Sequence, residues 1–129
     1  MPFVIDASIV AAWALIDEDS SRATEALERL RVDPALAPAL LFFEVRDVLL
    51  VNERRGRLTE AQSAEFLRAL PRLPIRIDQS PDETQLMMLA RRHRLTVYDA
   101  AYLELALRER LPLVTLDARL DAAKRVEDA

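Results

Sequence analysis

Hydrophobic positions along this chain fall into short runs and helix-spaced stripes that alternate from one end to the other. Phe3-Val4-Ile5 is a short, largely β-branched run and predicts a buried strand. Ser8 is placed to cap a helix over SIVAAWALI, with Ile9, Ala12, Trp13 and Ile16 at helical spacing. Asp17-Glu18-Asp19 breaks that helix, and Ser20 or Ser21 can cap a second one carrying Ala23, Leu27 and Leu30. Leu36-Ala37-Pro38 predicts a short extended segment. A long helix from about Ala39 to Arg55 ends at Gly56, the only glycine. Thr59 caps a helix running to Ala69. Ile75-Arg76-Ile77 alternates like a strand. Ser80-Pro81-Asp82-Glu83 reads as a helix start, with Ser80 as cap, Pro81 at the first helical position and Glu83 completing a capping box. Leu95-Thr96-Val97 predicts a strand, with Asp99 opening the helix AAYLELALRER. Leu113-Val114-Thr115 is a further strand before a last helix from Ala118. This alternation predicts an α/β protein with a central parallel sheet and helices on both faces.

The 129 residues suit one domain spanning the whole chain. The chain has no cysteine, which excludes disulfides, thiolate nucleophiles and cysteine-ligated metal. No apolar run approaches the roughly 20 residues that span a bilayer, and no leader-like segment opens the chain, so a cytoplasmic protein without membrane association is expected. The net charge of -4 argues against a basic sequence-reading DNA binder. It leaves room for a metal-dependent nuclease, whose clustered acids attract phosphates through bound ions. Lys124 is the only lysine, and every other base is arginine.

Four acids stand in apolar surroundings: Asp6, Glu44, Asp99 and Asp117. Asp6, Asp99 and Asp117 each follow a predicted strand and precede a helix. In a parallel sheet those strand ends point the same way, so the three converge if their strands are neighbours. Helix capping alone accounts for any one of them. It does not explain why Ser, Thr or Asn never takes the position. Glu44 lies inside ALLFFEV, where an unpaired carboxylate is costly. Arg46 and Arg55 are poorly spaced to face it on the same helix. Four oxygen donors without cysteine favour Mg²⁺ or Mn²⁺ over zinc. Magnesium held by carboxylates serves mostly phosphoryl chemistry. Ser8 and Thr115, each two residues from an acid, can orient a carboxylate or merely cap. His93, within Arg91-Arg92-His93-Arg94, reads as a solvated cationic helix end. Arg54, Arg55 and Arg57 read as helix-end cations, with RNA-backbone contact as the other reading. Trp13 reads as core or dimer surface rather than a base-stacking residue.

Together, VIDASIVAAW, FFEVRDVLL with ERRGRLT, and TVYDAAYLELALRERLPLVTLD resemble the PIN-domain ribonucleases over essentially the whole chain, and VapC-type toxins of toxin–antitoxin pairs in particular. The resemblance implies a PIN-like three-layer α/β sandwich. It implies Mg²⁺ or Mn²⁺ at Asp6, Glu44, Asp99 and Asp117, and endonucleolytic hydrolysis of single-stranded or structured RNA. It also implies a homodimer held in check by a small antitoxin. Asp47 departs from the family pattern, which often has Asn three residues after the Glu, and an acid there adds a ligand or repulsion.

Two other readings remain at this stage. A non-catalytic PIN-like module would bind RNA or protein, although it has no need of all four acids. A phosphotransfer module built on Asp6 needs a lysine at a later strand end, and Lys124 lies in the C-terminal tail.

Overall fold

The computed structural model describes residues 1–15 and 20–129. The predicted helix breaker Asp17-Glu18-Asp19, and Ile16 of the first stripe, lie outside the described residues. Four parallel strands form one sheet: β1 (Phe3–Ile5), β2 (Ala35–Pro38), β3 (Ile75–Asp78) and β4 (Leu113–Val114), in the order β3-β2-β1-β4. Phe3 pairs with Ala35 on one side of β1, and Ile5 with Val114 on the other. β1 is fully buried, as its unbroken apolar run requires.

Among the described residues, seven α-helices connect and follow these strands: α1 (Ala7–Ala14), α2 (Ser21–Arg29), α3 (Leu41–Arg54), α4 (Glu60–Ala69), α5 (Glu83–His93), α6 (Val97–Glu109) and α7 (Ala118–Asp128). The strand order fixes the layers. The chain steps outward from β1 to β2 to β3, then returns across the sheet to β4. Right-handed crossovers therefore put α1–α4 on one face and α5–α6 on the other. The contacts agree, since α1 packs on α3 while α6 packs on β1, β2 and α5. The result is the three-layer α/β sandwich expected from the sequence. It also makes the boundary between β1 and β4 a topological switch point, where the chains leaving two adjacent strands turn to opposite faces and a crevice opens.

The helix starts differ from the sequence expectations in three places. Ser8 is inside α1, and Asp6 is the cap, accepting from the Ile9 N–H. Ser80 and Pro81 lie ahead of α5, which is capped by Asp82 accepting from the Gln85 N–H, so Glu83 is the first helical residue and no Ser80–Glu83 box forms. Leu95-Thr96-Val97 is not a strand: Thr96 caps α6 through the Asp99 N–H and Val97 begins the helix. The short β-branched run was locally consistent with a strand, but the threonine hydroxyl offered a capping geometry that decided the matter. The other capping expectations hold, with Ser20 on α2 and a full Thr59–Gln62 capping box on α4. Trp13 is half-buried and donates its indole N–H to the Ala23 carbonyl at 2.7 Å, tying α1 to α2.

Candidate active site

The switch point is occupied by Asp6. Its residue is only 5% exposed, and both carboxylate oxygens are engaged. Oδ1 accepts from the Ser8 hydroxyl at 2.6 Å and from the Ile9 N–H at 3.3 Å. Oδ2 accepts from the hydroxyl of Thr115, a fully buried residue just past β4. Ser8 accepts in turn from the Leu116 N–H at 2.9 Å, and Thr115 accepts from the Asp117 N–H at 3.0 Å. The loops after β1 and β4 are thus sewn together through one carboxylate. Ser8 bonds the acid two residues before it, whereas Thr115 donates to Asp6 rather than to Asp117 two residues on. Plain capping does not describe either hydroxyl.

The other three acids arrive on helix starts. Asp117 caps α7, its Oδ1 accepting from the Arg119 and Leu120 N–H groups at 2.8 and 3.0 Å. Asp99 lies in the first turn of α6 rather than at a strand end. Glu44 lies in the first turn of α3, where no side-chain cap precedes it. Its Oε1 accepts from the Tyr102 hydroxyl at 2.6 Å. Tyr102 is almost wholly buried, on α6 one turn after Asp99. The sequence reading left Tyr102 out. Its spacing of three from Asp99 in a helical run was the available signal, because residues three apart share a helix face. The compensation sought for Glu44 is therefore a phenol from another helix, not an arginine from its own.

Electrostatics ties the four acids into one field. Burial pushes the Asp6 carboxyl above its ordinary range, the bonds from Ser8, Thr115 and Ile9 oppose the rise, and the Asp117 charge adds to it. Burial also raises Glu44. Tyr102 opposes that rise, while Asp99, Asp6 and Asp47 add to it. Asp99 is raised by burial and then by Asp117, against Thr96 and Arg119. Tyr102 itself is pushed far up, by burial first and then by the Glu44 carboxylate, so it stays a protonated donor. Among the described residues, no three acid or imidazole groups already close around one point. Asp6 is buried with both oxygens engaged, whereas Glu44, Asp99 and Asp117 are partly exposed.

Asp47 is exposed one turn beyond Glu44. It lines two clefts. One, of about 450 Å³, holds Leu40, Phe43, Glu44 and Tyr98. The other, of about 340 Å³, runs from Ser8 and Leu116 to Arg55 and Arg57. In that second cleft Arg57 donates to the Asn52 side chain at 2.9 Å, and Asn52 is buried and anchored to the Val48 carbonyl. Arg57 is therefore held in place rather than simply solvated. A larger apolar groove of about 530 Å³ between α3, α4 and β3 contains none of the four acids. His93 is also placed differently from expectation. It is largely buried and its Nε2 lies 2.6 Å from Glu127 on α7, which also accepts from Arg92, so the end of α5 is tied to the last helix instead of facing water.

Known proteins match this chain over nearly its full length. The family profile for the PIN domain matches residues 3–126. Ribonuclease VapC3 of Pyrobaculum aerophilum is 32% identical over 123 residues, covering 93% of this chain and 92% of that protein. Ribonuclease VapC1 of Mycobacterium tuberculosis is 36% identical over 126 residues, covering 92% of each chain. In fold, the chain is similar to the crystal structure of PAE2754 from Pyrobaculum aerophilum, with a TM-score of 0.73, 24% identity, and coverage of 97% of this chain and 89% of that one. The chain therefore belongs to the PIN-domain family, in its VapC-type branch.

Proposed function

We propose that this protein is a divalent-metal-dependent endoribonuclease and the toxin of a toxin–antitoxin pair. The observation that carries the reading is Asp6, buried at the β1–β4 switch point, fixed by Ser8 and Thr115, and in the same electrostatic field as Glu44, Asp99 and Asp117. Two relatives named ribonuclease, each at least 32% identical over most of the chain, point to RNA as the substrate.

The residues fit a hard divalent cation. All donors are carboxylate oxygens, as Mg²⁺ and Mn²⁺ prefer. Three of the four acids are raised and repel one another, which a cation between them relieves. Asp6, Glu44, Asp99 and Asp117 would hold it. Such an ion supplies Lewis-acid chemistry, activating water and offsetting charge on the leaving oxygen.

The chain's own residues do the positioning. Ser8 and Thr115 hold Asp6 in one orientation, so the site has a fixed reference point before anything binds. Tyr102 occupies one Glu44 oxygen and leaves the other for ligand or water. Asp117 spends one oxygen on capping α7 and keeps the second for the site. Asp47, at the rim, adds negative charge beside Glu44 and raises its demand for a cation. The RNA, a small antitoxin and a second copy of the chain are the proposed partners. No helix among the described residues is long and apolar enough to cross a membrane.

The reading is tested by incubating purified, partner-free protein with a mixed cellular RNA pool in Mg²⁺, in Mn²⁺ and in chelator, beside Asp99→Asn. Discrete products that need metal and vanish in the variant are expected. Folded protein that cleaves no RNA in either metal would overturn it in favour of a non-catalytic binding module.

A further inference from the structure

The acids that open α3 and α6 are each preceded by an exposed aromatic residue. Phe43 precedes Glu44 and is 72% exposed, and Tyr98 precedes Asp99 and is 63% exposed. Both line the same cleft as Glu44 and Asp47. Large rings left in water contribute little to the core, so two of them beside one group of carboxylates call for a ligand.

Phe43 is braced. It packs edge to face against Phe42, with centroids 5.2 Å apart and planes at 74°. The Arg46 guanidinium sits 3.4 Å from the Phe42 centroid and also donates to the Phe42 carbonyl at 2.9 Å. The platform is therefore built before any ligand arrives. Tyr98 rides on the first turn of α6, which Thr96 caps.

We propose that Phe43 and Tyr98 are stacking surfaces for unpaired bases of single-stranded RNA, seating the adjoining phosphate over Glu44 and Asp99. This inference rests on the ribonuclease reading and names the side chains that seat the bases of that RNA. Stacking on an aromatic face tolerates any base but requires that the base be out of a duplex. It also supplies attraction that does not depend on charge, which a carboxylate-lined site needs toward a phosphate. The floor of the cleft favours a base over an aliphatic side chain, since Glu44 and Asp47 can accept from exocyclic amino groups but gain nothing from a hydrocarbon.

The test is RNA binding in an Asp117→Asn background, with Mg²⁺ present, using a labelled single-stranded oligonucleotide and a duplex of the same sequence. Phe43→Leu and Tyr98→Leu should each weaken single-strand binding roughly 5- to 150-fold. Phe43→Tyr and Tyr98→Phe should restore it, and duplex binding should stay unchanged. An abasic nucleotide scanned along the strand should remove the effect of one Leu variant at a single position. Full single-strand affinity in both Leu variants, equal loss in Tyr98→Phe and Tyr98→Leu, or equal loss on the duplex would overturn the proposal. If the wild-type protein cleaves RNA but the rings do not matter, only this inference fails. If the rings matter but no RNA is cleaved, the nuclease reading fails and the stacking surface stands.

Discussion

The Thr115 hydroxyl donates to Asp6 Oδ2 across a sequence separation of 109 residues, joining the loop after the last strand to the loop after the first. The bond is fully buried, and Ser8 closes the other side of the same carboxylate. A carboxylate at 5% exposure with both oxygens satisfied is a rigid anchor, whereas one lacking a donor becomes a desolvation cost. Thr115→Val keeps the shape and removes only the hydroxyl. It should destabilise the fold by about 1–3 kcal/mol, read from the denaturant midpoint. Ser8→Ala, on the more exposed side, should cost less stability but should weaken metal affinity or activity roughly 10- to 100-fold. A Thr115→Val protein as stable as the parent would remove Asp6 as the anchor of the site.

Acid pH separates the candidate site from the rest of the molecule. Asp6, Glu44 and Asp99 have folded pKa values raised above their unfolded ones. The folded state therefore binds more protons than the unfolded state. Their contribution to stability is fully present below the ordinary carboxylate range, about pH 4, and is lost as pH rises through the raised values. Metal-free protein should gain stability from these groups as pH falls from neutral. Asp99→Asn and Glu44→Gln should raise the neutral-pH melting temperature, with the gain fading toward pH 4. Asp78, lowered by Arg108, and Glu127, lowered by Arg92 and then His93, act with the opposite sign, and their stabilisation is lost as pH falls through their depressed values. Melting curves of the two variants across pH 4–8 check this, and a neutral-pH loss of stability in both would contradict it.

A second buried acid serves the fold alone. Glu104 is 2% exposed and receives two bonds from Arg108, which also binds Asp78 at the end of β3. Arg108→Ala strands the buried Glu104 charge between α5 and α6. Because the Arg108 side chain is 28% exposed, water moderates the penalty, and a loss of up to about 3 kcal/mol is expected. Metal affinity of the molecules that remain folded should not change. A metal-binding defect at full stability would reverse the assignment.

With a single glycine in the chain, two helices end on arginine in the left-handed region: Arg94 at φ 53 and Arg110 at φ 55. That conformation strains a residue with a Cβ, and glycine relieves the strain at some cost in unfolded-state entropy. Arg110→Gly should therefore stabilise the protein by roughly 0.5–1 kcal/mol without touching the acids. Thermal melting measures it, and a destabilised variant would mean that the Arg110 side chain contributes more than its backbone costs.

The layers were legible in the sequence because apolar runs and helical stripes report burial directly, and the same runs single out Asp6, Glu44, Asp99 and Asp117 as candidates. β1 and its terminal Asp6 are the clearest case. Asp99 is a candidate in the sequence on the strength of a strand end that does not form. Leu95-Thr96-Val97 has strand composition, but Thr96 caps α6, so the acid reaches the site from a helix turn. Capping choices at Asp6 and Asp82 were missed because neighbouring Ser, Pro and Asp residues all offer plausible starts, and only the chain direction selects among them. The spacing of Tyr102 from Asp99 marks the face it shares, but the Tyr102–Glu44 and His93–Glu127 bonds were not legible, since their partners lie 58 and 34 residues apart. Residue patterns along one element carry no record of such cross-element bonds.

The most direct test of the account is a Mn²⁺ titration of the purified, chelator-stripped protein, followed calorimetrically, beside Asp6→Asn and Asp99→Asn, with folding of each confirmed by its thermal transition. The account predicts that the wild-type protein binds Mn²⁺, that each variant binds it much more weakly, and that saturating metal raises the wild-type melting temperature by mass action, by about 2.7 kcal/mol of stability at a hundredfold excess over Kd. Folded wild-type protein that takes up no Mn²⁺, or undiminished binding in both variants, would contradict it.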